Sequence, residues 1–484
     1  MAPQVLKNYI DGEWEESKSK EMLDVRNPAT AEVIAKVPLS TTDEVDRVVQ
    51  AAREAFQGWR ETTPYTRARY MFELKNQMEE RFEDLAAVIV KEHGKIIDEA
   101  RGEVRRSIEN VEVAAGIPSL MTGYNLEDVS HGIDEDCVYQ PVGVFCCVTP
   151  FNFPLMVPLW FMPYAIACGN TYIVKPSEIC PVSQMVLFEL LDEIDLPPGV
   201  VNMINGDKRV VDALLENPDV DGLSFVGSTP VGKYLYAKAA AHGKRAQCQA
   251  GAKNCLVVMP DAVLTQSVPA IMSSVFGTAG QRCLAGALVV AVGDVYEPLE
   301  EMLVEAASNL NVGDGMDETI HMGPVVTQRS LDRIRGYIEK GIEEGATLLL
   351  DGRDVQVKDY PDGYFIGPTI FTDVTPGMAI AREEIFGPVM GIVRVDDFDQ
   401  ALEVIHGSPY GNAASLFTTS GKWAREFEYR VQAGNLGINI GIAAPIASFP
   451  FSGMKDSFFG DLHGQGRDAI EFFTDRKVVI TRWF

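Results

Sequence analysis

Residues 223–230 have the sequence Leu-Ser-Phe-Val-Gly-Ser-Thr-Pro, in which a short apolar run ends at a glycine and a helix start follows. Leu223–Val226 is typical of a strand, because it is short, apolar and bounded by glycine. Ser228 or Thr229 ahead of Pro230 predicts a helix N-cap and first turn. Such a helix start offers free N–H groups to a pyrophosphate, although an ordinary strand-to-helix turn has the same sequence.

The same alternation of strands and helices extends in both directions from this stretch. From Val142 onward the candidate strands are Val142–Val148, Thr171–Val174, Val200–Ile204, Leu223–Val226 and Cys255–Met259. A second pattern, from about Ala262 to Gln465, contains Leu288–Val292, Ala346–Leu350, Met390–Val395 and Ala414–Thr418. Strands that alternate with helices predict parallel sheets covered by helices, so the fold class is α/β.

The chain before Val142 has mainly helical periodicity. Helices are predicted over 41–59, with Thr41 or Thr42 as the cap, over 67–94 and over 97–115. Two other segments, 125–139 and 470–484, are partly strand-like, and we expect such strands to be able to pair across subunits.

Composition excludes several classes of function. The 484 residues carry a formal net charge of −27, which repels nucleic acid and anionic lipid, so neither is an expected partner. The most apolar stretch, Phe151–Cys168, contains three prolines and is short for a membrane span. The eight cysteines form no C-x-x-C pair, and the six histidines are scattered, which predicts a reduced cytoplasmic protein with no metal site.

Gly280-Gln281-Arg282-Cys283 is the candidate nucleophile segment. It follows a predicted helix, Pro269–Phe276, and precedes the strand Leu288–Val292, and small residues surround it. An uncrowded cysteine can admit a substrate, and Arg282, if it faced the sulfur, would favour the thiolate. Spacing alone favours a buried structural cysteine instead.

Five motifs together resemble the aldehyde dehydrogenase superfamily. They are Thr149-Pro150-Phe151-Asn152-Phe153-Pro154, Lys175-Pro176-Ser177-Glu178, Phe225-Val226-Gly227-Ser228-Thr229, Gly280-Gln281-Arg282-Cys283 and Glu383-Glu384-Ile385-Phe386-Gly387-Pro388. They occur in the family's order over nearly the whole chain, and that joint occurrence is far more specific than any one of them.

The resemblance implies a fold and a set of site residues. It implies an NAD-binding domain of variant Rossmann type over 1–122 and 140–251, an α/β catalytic domain over 252–467, and a small β oligomerisation region over 123–139 and 468–484. Cys283 would be the nucleophile, and Asn152 would stabilise the oxyanion. The implied cofactor contacts are Thr149, Phe151, Lys175, Glu178, Ser228, Ala250, Glu384 and Phe386. There is no G-x-G-x-x-G fingerprint.

Glu178 also bears on the choice of cofactor. A carboxylate at this position accepts hydrogen bonds from ribose hydroxyls and repels a 2′-phosphate, which favours NAD over NADP. Without the resemblance, Lys175 and Glu178 could equally form a solvated turn. Many relatives have a basic residue after the glutamate, whereas this chain has Ile179, so their adenosine contacts do not carry over directly to this position.

One departure from the superfamily points to a branch within it. Most acid-forming relatives have a glutamate in an E-L-G-G-K motif, whereas this chain has Gln249-Ala250-Gly251-Ala252-Lys253. An amide cannot act as a general base, so hydrolysis of an acyl-enzyme should be slow and a thiol should replace water. Residues 249–254, 257–262 and 457–462 resemble the CoA-acylating branch, the methylmalonate-semialdehyde dehydrogenases.

That branch implies a reaction and its partners. Arg106 and Arg282 would bind the substrate carboxylate, although Arg106, beside Arg105 in a charged helix, is also compatible with a solvated face. Methylmalonate or malonate semialdehyde would be oxidised with NAD and decarboxylated, and the acyl group would pass to coenzyme A as propionyl-CoA or acetyl-CoA. The family commonly forms dimers or tetramers, and a homotetramer built as a dimer of dimers is expected.

Two alternatives stay open from the sequence. One is a CoA-independent semialdehyde dehydrogenase that forms a free acid, against which Gln249 argues. The other is a non-catalytic NAD-binding protein of the same fold, against which the presence of Cys283 and Asn152 argues.

Overall fold

The computed structural model of the protein describes residues 3–484, so the first two residues of the predicted range 1–122 lie outside the described residues. The first segment contains β1 (Gln4–Val5), β2 (Asn8–Ile10), β3 (Glu13–Glu15), β4 (Met22–Arg26), β5 (Val33–Pro38), α1 (Thr42–Glu61), α2 (Pro64–Glu80), α3 (Phe82–His93), α4 (Ile97–Ala115) and α5 (Ile117–Leu120). The predicted start of α1 is confirmed, and the Glu44 carboxylate accepts a 2.8 Å hydrogen bond from the Thr41 N–H there. The single helix predicted over 67–94 is wrong, because Arg81 leaves helical geometry (φ −102°, ψ 21°) between α2 and α3.

The second segment carries the first α/β pattern. In chain order it contains β6 (Tyr124–Ser130), β7 (Ile133–Pro141), β8 (Val144–Val148), α6 (Met156–Leu159), α7 (Met162–Cys168), β9 (Thr171–Lys175), α8 (Val182–Glu193), β10 (Val201–Met203), α9 (Lys208–Glu216), β11 (Gly222–Val226), α10 (Thr229–Ala241) and β12 (Arg245–Gln249). Residues 223–230 thus contain the end of a strand, β11, and the start of a helix, α10, with Ser228 as the N-cap. Strand β12, which ends at Gln249, was missed by the sequence analysis.

The third segment carries the second pattern. It contains β13 (Asn254–Val258), α11 (Leu264–Phe276), β14 (Gly286–Val292), α12 (Tyr296–Ser308), α13 (Gln328–Glu343), β15 (Thr347–Leu350), β16 (Thr369–Thr372), α14 (Ala379–Arg382), β17 (Val389–Val395), α15 (Phe398–His406), β18 (Tyr410–Gly411), β19 (Ala413–Phe417), α16 (Gly421–Arg430), β20 (Asn435–Ile438), β21 (Met454–Lys455), β22 (Phe458–Phe459), α17 (Gly466–Phe472) and β23 (Thr474–Arg482). A turn at Gly277–Gly280 follows α11 directly, and its residues Thr278 and Ala279 lie outside right-handed helical geometry.

The first large sheet has the strand order β22-β12-β11-β8-β9-β10-β2-β3. Its five central strands are parallel, as the alternation predicts. The chain runs from β8 outward through β9 and β10, then returns to the other side for β11 and β12. The order therefore reverses between β8 and β11, and a cleft forms at the carboxyl ends of strands at such a point.

The edges of this sheet depart from the predicted parallel arrangement. Strands β22, β2 and β3 pair antiparallel with their neighbours. Each has only two or three residues, too short for a recognisable period-2 pattern. Strand β22 also lies within the range predicted for the catalytic domain, so that range contributes an edge to the first sheet.

The second large sheet has the order β15-β16-β17-β14-β13-β19-β20, and it is parallel except for β15. The strand predicted at Cys255–Met259, grouped with the first pattern, is β13 and lies in the centre of this second sheet. Strands β16 and β20 were not predicted. The first sheet has a separate buried cluster on each face, and a third cluster surrounds the second sheet. Helices α1 and α7 pack directly on β9, and α2 and α4 pack on α7.

The partly strand-like segments 125–139 and 470–484 do contain strands. Strands β6, β7 and β23 form a separate antiparallel sheet of order β23-β7-β6. The start of the second segment is wrong, because α17 continues to Phe472 before β23 begins. Most residues of β6 and β23 are exposed to solvent. Within residues 3–484, no helix is long and apolar enough to cross a membrane.

Candidate active site

Two cavities meet at the Cys283 side chain. One, of about 1380 Å³, lies at the carboxyl ends of β8, β9 and β11. The other, of about 900 Å³, lies between α4 and the loops that contain Phe153, Trp160 and Phe451. Cys283 lines both cavities. The other seven cysteines are buried, so Cys283 is the cysteine with an open approach.

A turn of unusual backbone geometry delivers Cys283 to this junction. Thr278, Ala279 and Gly280 have positive φ values of 54°, 49° and 69°. The left-handed region costs energy for a β-branched residue such as Thr278, and neighbouring contacts must hold it there. At Gly280 a Cβ atom would also stand 2.2 Å from the Gly387 carbonyl oxygen, so glycine alone fits.

Two asparagines fix the backbone of the nucleophile itself. The side-chain amides of Asn254 and Asn412 each donate a 2.8 Å hydrogen bond to the Cys283 carbonyl oxygen. Asn254 lies at the start of β13, whereas Asn412 precedes β19. No local motif marks either residue, because their contact with Cys283 arises from adjacent strands of the second sheet.

The Cys283 thiol is protonated in this environment. Burial raises its pKa to about 12, the Arg282 charge opposes the rise, and the Glu384 carboxylate adds to it. The backbone N–H groups of Cys283 and Leu284 also favour the thiolate. Arg282 therefore lowers the pKa of Cys283, as expected, but the opposing effect of burial is larger. Reaction requires that the thiol lose its proton at this junction.

Asn152, the predicted oxyanion residue, lies against the nucleophile turn. Its side-chain amide donates a 3.1 Å hydrogen bond to the carbonyl oxygen of Gln281. The backbone carbonyl oxygen of Asn152 accepts a 2.7 Å hydrogen bond from Lys95, whose ammonium is fully buried and paired with Glu103. An amide nitrogen carries two hydrogens, so Asn152 can still donate one to an oxygen formed beside Cys283.

The larger cavity contains most of the predicted cofactor residues. Its wall includes Thr149, Phe151, Glu178, Ser228, Ala250, Glu384 and Phe386. Lys175 is buried instead, and its ammonium donates a 2.7 Å hydrogen bond to the Glu178 carboxylate. Lys175 thus orients Glu178, whose side chain is 29 % exposed at the cavity.

The part of this cavity near Cys283 is built by two aromatic rings and a carboxylate. Phe151 and Phe386 pack edge to face with ring centres 5.8 Å apart. The Glu384 carboxylate accepts a 3.0 Å hydrogen bond from the Ala252 N–H, and burial raises its pKa. Arg333 of α13 also lines the cavity and was missed by the sequence analysis, since α13 lies far from the recognised motifs.

The smaller cavity contains both predicted substrate arginines. Arg106 projects from α4 and donates to Glu109 at 2.9 Å, with 38 % of its side chain exposed. Arg282 donates to Glu99 at 3.2 Å and is far more buried. The interpretation of Arg106 as a solvated residue is partly right, because it both lines the cavity and reaches solvent. Apolar and aromatic side chains form much of the remaining wall.

Gln249 supplies no ionisable group to either cavity. It is 4 % exposed, and its amide nitrogen lies 3.3 Å from the Phe451 carbonyl oxygen. The carboxylates of the smaller cavity are engaged elsewhere: Glu99 with Arg282, and Glu103 with Lys95 and two backbone N–H groups. The arrangement therefore supports attack by a cysteine and stabilisation of the resulting oxyanion, and the two carboxylates of the smaller cavity are both paired with cations rather than free to activate water.

Three observations indicate that the larger cavity suits a dinucleotide. The N-terminus of α10 opens at Ser228, whose side chain makes no capping hydrogen bond, so backbone N–H groups are available to a pyrophosphate. Glu178 offers a carboxylate for ribose hydroxyls, and Phe386 lies beside Cys283 at the far end. Across residues 3–484, no group of three or more His, Cys, Asp or Glu side chains is placed to hold a metal ion.

Comparisons with known proteins agree over nearly the full length. The sequence profile of the aldehyde dehydrogenase family matches residues 14–479. Malonate-semialdehyde dehydrogenase 2 of Geobacillus kaustophilus (strain HTA426) is 50% identical over 481 residues, which are 99% of each chain. The solved structure of a methylmalonate-semialdehyde dehydrogenase from Sinorhizobium meliloti 1021, described there as putative and complexed with NAD, is 42% identical, with a TM-score of 0.98 over 99% of this chain and 98% of that one. That of the methylmalonate-semialdehyde dehydrogenase from Oceanimonas doudoroffii is 43% identical, with the same TM-score and coverage.

Proposed function

The chain belongs to the aldehyde dehydrogenase family, and we propose that it oxidises malonate semialdehyde and methylmalonate semialdehyde with NAD, releases carbon dioxide, and transfers the acyl group to coenzyme A. The observation that carries the proposal is the position of Cys283 between two cavities, one of which contains Arg106 and Arg282. The names of the relatives at 42% to 50% identity point to the same substrates.

The smaller cavity binds the semialdehyde by its carboxylate. Guanidinium groups pair with a planar carboxylate through two parallel N–H donors, and two arginines here offer such donors. The aromatic wall contributed by Phe153, Trp160 and Phe451 packs against the short carbon chain and excludes water. With its carboxylate held, the substrate presents its aldehyde carbon to Cys283.

The Cys283 thiol loses its proton to solvent through the larger cavity, and the resulting thiolate attacks the aldehyde carbon and forms a tetrahedral thiohemiacetal. The free N–H of the Asn152 amide and the backbone N–H of Cys283 stabilise the oxyanion of this adduct. The Lys95 ammonium, which binds the Asn152 carbonyl oxygen, keeps this segment in place. Loss of a hydride from the adduct carbon, for which NAD in the larger cavity would be the acceptor, gives a Cys283 thioester and completes the oxidation.

The larger cavity holds NAD through residues at the carboxyl ends of β8, β9 and β11. Glu178 binds ribose hydroxyls, Ser228 begins the helix that faces the pyrophosphate, and Glu384 and Phe386 flank the end nearest Cys283. When bound there, NAD supplies the oxidant that accepts two electrons and one hydrogen from the adduct.

The thioester intermediate explains both later steps. Its carboxylate lies β to the thioester carbonyl, so loss of carbon dioxide leaves an enolate that takes up a proton. Gln249 cannot remove a proton from water, and the acyl group therefore waits on Cys283 for a better nucleophile. The thiol of coenzyme A displaces Cys283 and releases acetyl-CoA or propionyl-CoA.

We further propose that the chain divides as the sequence analysis expects, with β6, β7 and β23 as the oligomerisation region of a homotetramer. Large apolar side chains are exposed on this small sheet, among them Leu126, Val478 and Ile480. Such a surface is typical of subunit contacts. Eight free cysteines, seven of them buried, suit a reducing compartment, and we place the enzyme in the cytoplasm.

Product analysis tests the proposed function. The enzyme is incubated with malonate semialdehyde, NAD and coenzyme A, and the products are identified by mass spectrometry. We expect acetyl-CoA and one equivalent of carbon dioxide per NADH. Free malonate would identify the CoA-independent alternative, and no product with intact NAD binding would identify the non-catalytic one; either result contradicts the proposal.

A further inference from the structure

Glu99 lies beside the nucleophile turn, yet no motif of the sequence analysis includes it. It is in the first turn of α4, on the same face as Glu103 and Arg106. Its Oε1 accepts a 2.7 Å hydrogen bond from the Thr278 N–H and a 3.2 Å bond from Nη2 of Arg282. Nη2 of Arg282 also donates to the Thr278 hydroxyl at 3.1 Å, which closes a triangle of three residues in which Thr278 takes part through both its backbone N–H and its side chain.

The backbone leaves space for this triangle at Gly277. A Cβ atom there would stand 2.7 Å from Nη2 of Arg282 and 3.0 Å from Oε1 of Glu99. The side chains of Glu99 and Arg282 are 17% and 14% exposed, so the pair is mostly shielded from solvent. Truncating one member of such a pair leaves the other charge without its partner.

We propose that Glu99 is a positioning residue that fixes Arg282 in the wall of the smaller cavity, and that it thereby sets the preference of Cys283 for reactants that carry a carboxylate. Glu99 accepts from one nitrogen of a guanidinium that has five N–H donors, so the remaining donors can serve a second carboxylate. A fixed guanidinium binds that carboxylate without first losing the freedom of a long side chain. The proposal deepens the proposed function and rests on its assignment of Arg282.

Two roles of Glu99 make opposite predictions. If Glu99 only added negative charge near the site, its removal would strengthen the attraction of anions. If Glu99 holds Arg282, its truncation weakens their attraction despite the lost charge. Glutamine at this position keeps an acceptor for Thr278 and Arg282, so it should preserve the arrangement while removing the charge.

Alkylation of Cys283 distinguishes these roles without semialdehyde, NAD or coenzyme A. Iodoacetate and iodoacetamide have nearly the same shape and differ in charge, so the ratio of their rate constants measures charge preference. The rates are followed by peptide mapping of Cys283 in the wild type, Glu99→Ala, Glu99→Gln and Arg282→Ala. Asp98→Ala, which changes an exposed carboxylate one residue away, is the matched control.

We expect Glu99→Ala to lower the iodoacetate-to-iodoacetamide ratio roughly three- to tenfold, as loss of an ordered charged hydrogen bond would. Glu99→Gln and Asp98→Ala should keep the wild-type ratio or exceed it. Glu99→Ala should have no further effect when Arg282 is already alanine, because the two act through one contact. A ratio that rises or stays unchanged in Glu99→Ala, or a fall in Glu99→Gln equal to that in Glu99→Ala, would overturn the proposal.

The outcome is independent of whether the substrate assignment is right. A wild type that fails to oxidise malonate semialdehyde contradicts the proposed function, yet the alkylation ratios still decide the role of Glu99. Circular dichroism of each variant verifies the fold. If Glu99→Ala does not fold, Glu99→Asp provides the decision, because its shorter side chain keeps the negative charge but withdraws the acceptor from Arg282. A lowered ratio in Glu99→Asp supports the positioning role, and an unchanged ratio overturns it.

Discussion

The state of the Cys283 thiol depends on opposing influences from its neighbours. Burial raises its pKa to about 12, which leaves a very small thiolate fraction near neutral pH. Arg282 lowers the pKa and the Glu384 carboxylate raises it. Any ligand that draws the Glu384 carboxylate away from the sulfur would therefore increase the thiolate fraction.

Alkylation of the cofactor-free enzyme tests this balance. Because thiolate is the reactive form, the rate of Cys283 modification by iodoacetamide should rise with pH and reach no plateau below pH 10. Replacement of Arg282 by alanine removes a group that lowers the pKa, so the rate at pH 8 should fall severalfold. A plateau between pH 7 and 8 in the wild type would contradict the assigned pKa.

Substitution of Gln249 tests the explanation for the missing base. In Gln249→Glu the new carboxylate would replace an amide that donates to the Phe451 carbonyl oxygen, so the contact would become repulsive. General-base assistance contributes about 10²- to 10⁴-fold in favourable cases, so we expect a clear gain in CoA-independent hydrolysis. NADH formation without coenzyme A is measured for Gln249→Glu and for Gln249→Asn, which changes the side chain without adding a base. Equal rates in the two variants would show that residue 249 does not control hydrolysis.

Single residues of the site were predictable from sequence where a local motif surrounds them. Cys283, Asn152 and Glu178 each lie in such a motif, and the structure brings them to one pair of cavities. Glu99, Asn412 and Arg333 were missed because each meets its partner across a long separation in sequence, 183 residues for Glu99 and Arg282. Nothing in the local sequence of these residues indicates which side chain lies opposite.

Helix α4 connects the separate parts of the site. Glu99 holds the nucleophile turn, and Arg106 lines the smaller cavity. Between them, Glu103 pairs with Lys95 and accepts hydrogen bonds from the N–H groups of Leu155 and Met156. Lys95 in turn binds the Asn152 carbonyl oxygen and lies 4.0 Å from the centre of the Phe153 ring. One face of one helix thus sets the positions of two catalytic loops.

The Lys95–Glu103 pair supports a prediction for this element. Both side chains are fully buried, so Glu103→Ala leaves an ammonium without its counter-charge and should cost about 3–5 kcal/mol of unfolding free energy. Urea unfolding measures the cost, and Glu112→Ala, at a half-exposed position of α4, is the control. The double variant Lys95→Met/Glu103→Leu should recover part of this stability, because no unpaired charge remains, although the N–H groups of Leu155 and Met156 lose their acceptor. It should not recover activity, because Asn152 stays unsupported. Full activity in that double variant would show that the pair does not position Asn152.

The parallel strands and long helices were predictable because their periodicity is strong and local. The central strands of both sheets were found in this way, although β12, β16 and β20 were missed. Strands β2, β3 and β22 escaped prediction because they are short, and β2 and β22 also pair with strands distant in sequence; β2, for instance, pairs Tyr9 with Met203. The formation of an edge strand depends on tertiary contacts, whereas a central strand is recognisable in the sequence as a run of apolar residues.

At the scale of the whole molecule, the small sheet of β6, β7 and β23 is the surface we assign to subunit contacts. Light scattering should give a mass that is a multiple of the 53.1 kDa chain, four times for the proposed tetramer. Ile480→Lys places a charge on an exposed apolar strand and should reduce the assembly. Tyr65→Lys changes an equally exposed residue of α2 and should leave it intact. A wild-type monomer, or assembly that survives Ile480→Lys but not Tyr65→Lys, would refute the assignment.

The dependence of NADH formation on coenzyme A tests the central claim most directly. The rate is followed with malonate semialdehyde and with methylmalonate semialdehyde, each with NAD and with or without coenzyme A. The account predicts rapid turnover with coenzyme A and, without it, at most one NADH per Cys283 followed by slow hydrolysis, because no base activates water beside the thioester. Equal steady-state turnover without coenzyme A would contradict it, and would mean that a group other than Gln249 activates water for an acid-forming reaction.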